Sequence, residues 1–80
     1  MMNRICIVMH KEHKALKNTR VRDAFKNAFG SEPSSIRAEH KSIVVLTEEE
    51  LKEGKVKKFA DNLGSHGEIV GSDDSYSIKL

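Results

Sequence analysis

Apolar and polar residues change rhythm several times along this chain, and each change marks an element. Asn3 to Met9 reads N-R-I-C-I-V-M, with five apolar residues in succession. A short run rich in Ile and Val predicts a strand buried on both faces. The period then lengthens. From Thr19 to Phe29, Val21, Ala24, Phe25, Ala28 and Phe29 recur at steps of three and four, which places them on one face of a helix. Asn18 or Thr19 is positioned to cap that helix, and Gly30 stands where a C′ glycine belongs. Pro33 then keeps the chain from continuing as helix.

Two strands follow. Ser35 to Glu39 alternates, with Ile36 and Ala38 on one side and Arg37 and Glu39 on the other, the pattern of a half-buried strand. His40-Lys41 makes the turn. Ser42 to Leu46 contains I-V-V-L, a second strand apolar on both sides. Thr47-Glu48-Glu49-Glu50 then matches a capping box, with the Thr47 hydroxyl aimed at the N3 amide and Glu50 reaching back. The helix it would start carries Leu51, Val56, Phe59, Ala60 and Leu63, has Gly54 in its middle and ends at Gly64. Glu68 to Gly71 is a short strand. Ser72-Asp73-Asp74 turns the chain, and Tyr76, Ile78 and Leu80 alternate along a last strand.

The element order is βαββαβ with one additional C-terminal strand. That order predicts an α+β domain of the ferredoxin-like (split βαβ) kind, with both helices on one face of an antiparallel sheet. The first and third strands would then be central, and these are the two that are apolar on both sides. The additional strand would extend the sheet beside the fourth. The other face of the sheet would be open. Cys6 and Val8 are candidates to lie there, with either Ile43 and Val45 or Val44 and Leu46, flanked by Arg37, Glu39, Ser75, Ser77 and Lys79. An apolar centre with a polar rim is the anatomy of a protein interface. Cys6, Val8, Val44 and Leu46 are therefore the candidate interface residues.

Length adds a constraint. Residues 1–80 are enough for one small domain, and a domain of this size buries only about 60% of the surface its unfolded chain exposes. A deep catalytic cleft has little room, so an exposed face is the better place for function. Hydrophobic residues make up 38% and charged residues 32%, which suits a globular chain and not a disordered one. No apolar run approaches the ~20 residues that cross a bilayer, and Met1 to Met9 lacks the features of a signal peptide. The expected location is the cytoplasm, with no membrane partner. Cys6 is the single cysteine, so neither an intrachain disulfide nor a cysteine-rich zinc site can form. Within an apolar strand, a buried, inert thiol is its expected role.

Charge changes the picture in one place. The net charge is +2, yet His10 to Lys26 alone carries +4 while Asn27 to Leu80 carries −3. Lys11, Lys14, Lys17, Arg20 and Arg22 form a candidate anion- or nucleic-acid-binding segment. No aromatic residue interleaves with them, so base stacking is not indicated. His10 and His13 are spaced H-x-x-H, and His40 and His66 would come to the same end of the sheet. Two histidines are fewer ligands than zinc needs, so His10 and His13 are weak metal candidates and no cofactor is expected. Glu48 to Glu50 and Asp73-Asp74 are accounted for by capping and turn chemistry. No nucleophile elbow or phosphate loop is present. Acylphosphatases share the predicted fold, but their glycine-rich loop with an arginine after the first strand has no counterpart here, where Met9-His10-Lys11-Glu12 stands.

The expectation is a non-catalytic binding module that acts by protein–protein contact, as a small regulator or inhibitor of the type viruses and mobile elements encode. The alternatives are a nucleic-acid-binding protein using the basic 10–26 segment and a metal-dependent enzyme using the loop histidines. A homodimer would also satisfy an open apolar face.

Overall fold

The computed structural model describes residues 2–9, 17–39, 41–64 and 68–79. Among them are β1 (Asn3–Val8), α1 (Asn18–Phe29), β2 (Ser35–Ala38), β3 (Ser42–Thr47), α2 (Glu53–Asn62), β4 (Ile69–Ser72) and β5 (Ser75–Lys79). The architecture is α+β, with two helices and a five-stranded mixed sheet in the order β2-β3-β1-β5-β4. Among the described residues, no helix is long and apolar enough to cross a membrane.

The sheet corrects one expectation. It is not antiparallel throughout, because β1 pairs parallel with β5. The C-terminal strand also does not extend the sheet from outside. It inserts between β1 and β4, leaving β4 at the edge. The reason lies in the two strands' side chains. β5 turns Tyr76 and Ile78 toward the helices and buries both. In β4 only Ile69 is half-buried, while Val70, Gly71 and Ser72 are exposed. The strand with more apolar area to hide takes the inner place. A tight Asp73-Asp74 turn holds the two antiparallel. Asp73 adopts φ 57 and Gly71 φ 143. A Cβ on Gly71 would lie 2.3 Å from the Ser75 carbonyl oxygen, so this close approach of backbones requires glycine.

Both helix starts also differ from the sequence reading. Neither Asn18 nor Thr19 caps α1. Lys17 occupies the N-cap position, with no side-chain cap bond. Gly30 does end α1, in the left-handed conformation, and its N–H donates to the Lys26 carbonyl at 2.8 Å. The capping box at Thr47 is not formed. Thr47 is the last residue of β3, pairs with Asn3 and is buried, so it cannot also open a helix. Its Oγ1 accepts instead from the Glu49 N–H at 3.0 Å, a local turn bond of the kind threonine favours. The Glu49 carboxylate accepts from the Ser31 hydroxyl at 2.9 Å, and the Glu49 carbonyl accepts from Asn3 Nδ2 at 2.6 Å. This loop thereby ties β1 to the α1–β2 connection. α2 starts only at Glu53, so Gly54 lies in its first turn and not in its middle.

The core sits between the helices and one face of the sheet. Ile5, Ile7, Ile43, Val45, Tyr76 and Ile78 come from the strands, and Val21, Phe25, Phe29, Val56 and Phe59 from the helices. Phe25 and Phe29 stack with ring centroids 4.3 Å apart, and Phe59 meets Phe25 edge-on at 5.6 Å. Ala38, expected on the buried side of β2, is exposed at the end of this edge strand.

Candidate functional site

Strand alternation sends successive side chains to opposite faces, and the pairing register fixes which residues become neighbours. Ile5, Ile7, Ile43, Val45 and Ile78 point to the helices and are buried. The opposite face receives the residues between them. One row across it runs Arg37, Val44, Cys6, Ser77, Val70, and a second runs Ser35, Leu46, Arg4, Ser75, Ser72. A third places Ser42, Val8 and Lys79 side by side. No described helix lies on this face.

The four candidate interface residues therefore share one surface. Cys6 and Val44 are direct cross-strand partners, and Leu46 and Val8 lie one row to either side. Of the two candidate pairs on β3, the register selects Val44 and Leu46, because Ile43 and Val45 belong to the core. Val8 is 37% exposed, while Cys6, Val44 and Leu46 are half-buried by their neighbours. Cys6 accordingly stands at the centre of the open face and not in the core, contrary to its expected buried role.

Two further members of this face, Val70 and Arg4, were not read as candidates. Val70 is 54% exposed, and its partner Ser77 lies next to Cys6. Four residues of β4 alternate too briefly to reveal a face, so only its pairing with β5 could place Val70. Arg4 was legible in principle, since it is two residues from Cys6 on the same strand.

The basic segment is described only in part. Lys11 and Lys14 lie outside the described residues, as do His10, His13, His40 and His66. Lys17, Arg20 and Arg22 are exposed, but they do not form one patch. At 3.6 residues per turn, Arg20 and Arg22 stand about 200° apart around α1, on either side of its buried stripe. Lys17 and Arg20 line an open groove of about 550 Å³ with Thr19, Asp23, Asn27 and Asn62. Asn62 Nδ2 spans from α2 to the Ala24 carbonyl at 3.2 Å. Asp23 puts a negative charge into the same groove, which weakens its attraction for phosphate. Among the described residues, no group of three or more His, Cys, Asp or Glu is placed to hold a metal ion.

No family model, curated protein or solved structure matches this chain.

Proposed function

We propose that this protein is a small non-catalytic binding module that docks a protein partner on the open face of its sheet and regulates the partner by occupying its surface. The observation that carries the reading is the contrast across the sheet. One face is closed by two helices. The other presents Cys6, Val8, Val44, Leu46 and Val70 between polar side chains. The apolar residues are spread over several strands, which suits a broad protein surface better than a small ligand, since small ligands take concave sites. In this reading the fold is a ferredoxin-like frame into which the C-terminal hairpin has added a strand.

A photo-crosslinking residue at position 44, compared with one at the exposed helix position 57, tests the reading in the producing cells. The expected result is one protein adduct from position 44 and none from 57. The identified protein, once purified, should bind the wild-type chain and lose binding to Val44→Glu. Equal crosslinking from both positions, or unchanged binding of Val44→Glu, overturns the reading.

The second reading is nucleic-acid binding through the basic segment, supported by Lys17 and Arg20 sharing one groove. It requires binding that falls steeply with salt and is lost on Arg20→Glu.

A further inference from the structure

Independently of the open face, we propose that the opposite surface of the molecule, along the seam between α1 and α2, holds the phosphate backbone of a nucleic-acid duplex. Charge divides between the two layers. The helices with their N-cap residues hold eight Lys and Arg against Asp23, Glu53 and Asp61, whereas the remaining described residues hold four against eight acids. Half of the helical cations gather along one line. The Lys55 ammonium lies 6.0 Å from the centre of the Phe29 ring, and Asn62 Nδ2 donates to the Ala24 carbonyl. The helices therefore run antiparallel, and the row Lys55, Lys58, Asn62, at steps of three and four, is the side of α2 that meets α1. Beyond Asn62 the seam opens into the groove lined by Arg20 and Lys17. Seven residues of α2 and one further turn of α1 separate Lys55 from Arg20 by about 16 Å along the seam. One strand of a duplex advances by about five phosphates in that distance. The surface shares Lys17 and Arg20 with the basic segment, leaves out Arg22, and adds Lys55 and Lys58. Asp23 and Asp61 are its acids, two against four cations.

What this surface lacks selects its occupant. The exposed large hydrophobic residues, Met2, Val8 and Val70, all lie outside the helices. An acidic protein would find no apolar centre to anchor on. An anionic membrane would find nothing on the helices to insert among its acyl chains. A single strand gains its grip from aromatic platforms, and Phe25, Phe29, Phe59 and Tyr76 are all buried. A second copy packed through the same surface would set one positive seam against another. A duplex backbone needs none of these features. It is held by charge and by hydrogen bonds from Lys, Arg and Asn side chains to phosphate oxygens, and such contacts carry no sequence information.

The test is fluorescence anisotropy of a labelled DNA duplex of mixed sequence, titrated with the whole chain over a range of salt. Parallel titrations use the single strand, polyglutamate and phosphatidylserine vesicles. The expected result is duplex binding whose logarithm falls with the logarithm of salt at a slope of about −3 to −4, as four phosphate contacts require. Arg20→Glu with Lys58→Glu should lower the affinity by roughly tenfold or more and flatten that slope. The charge-matched control, Arg22→Glu with Lys57→Glu on the far sides of the two helices, should change it by less than about threefold, because exposed charges at that distance are screened. Asp23→Asn should tighten binding by roughly two- to fivefold. Arg20→Gln with Lys58→Gln should weaken it in the same direction as the reversals. Equal losses from the two double reversals overturn the seam and leave only diffuse attraction to a basic chain. Binding of the single strand, polyglutamate or vesicles as tight as that of the duplex overturns the duplex as occupant, as does the absence of duplex binding at low salt. Loss of binding in Arg20→Glu alone, with Lys58→Glu unchanged, confines the contact to the basic segment and also overturns the seam. Crosslinking at position 44 reads the other side of the sheet, so either site can fail without the other.

Discussion

Ile5 and Cys6 are adjacent in the chain and share the central strand, yet they experience different surroundings. Ile5 is sealed under α1 and α2, whereas Cys6 faces away from both helices and is half-buried only by its strand neighbours. The same division separates Val45 from Val44 and Ile7 from Val8. Taken alone, a central strand that is apolar on both sides reads as one covered on both sides, as in sheets layered with helices, whereas the element order implies one open face. The described helices cover one face only. The hydrophobic contribution to stability is therefore concentrated on the covered face, and the open face keeps apolar residues that folding does not use fully. Apolar groups that remain near water in a fold are available for recognition.

Mutations on the two sides measure this division. The largest effect belongs to the aromatic cluster. Phe59→Ala should cost about 3–5 kcal/mol, a large share of the stability of so small a domain, and urea denaturation should show it unfolded or nearly so. Gly71→Ala follows, at about 2–4 kcal/mol, because its φ of 143 is strained for an L residue and the added methyl group would collide with the Ser75 carbonyl oxygen. A normal melting temperature for that variant would mean that the β4–β5 hairpin is not built as described.

The sharpest comparison is between neighbours of identical type. Val45→Ala should cost about 2–3 kcal/mol and Val44→Ala under about 1 kcal/mol. Equal losses in denaturant titrations would show that both faces are covered and would end the distinction. Thr47→Val removes the acceptor of the Glu49 N–H at nearly constant volume, for an expected loss of about 1–2 kcal/mol. At the bottom of the scale, Val70→Thr should change stability by no more than about 0.5 kcal/mol, while reducing partner binding if β4 belongs to the docking face.

Much of this fold was legible because its signals are local. Period-two and period-three-to-four spacing located the described strands and α1 to within a residue or two, and α2 apart from its start, and Gly30 ended α1 as its position implied. The errors arose where a local signal had a tertiary competitor. Thr47-Glu48-Glu49-Glu50 satisfies the pattern of a capping box, but Thr47 was already committed to pairing with Asn3 and to the core side of β3. Its hydroxyl served a turn instead. The basic segment is continuous in the sequence, but α1 turns Arg20 and Arg22 to different sides, and only Lys17 and Arg20 share a groove. On the candidate face, Cys6, Val8, Val44 and Leu46 could be listed as apolar candidates, but I-V-V-L reads equally well with either pair turned outward. The pairing of Cys6 with Val44 decided the matter.

The sequence by itself determined the two helices, the strands and the excess of apolar residues over what one helical layer can cover, because these follow from spacing and turn chemistry within a few residues. Tertiary structure decided the order of the strands and the make-up of the open face. Placing β5 beside β1 buries Tyr76 and Ile78 beneath the helices and leaves the poorer β4 outside, a competition between distant segments for the same covered area that no local pattern records. That choice also brings Lys79 beside Val8 and Val70 beside Ser77, and with them the chemistry of the surface on which function is proposed.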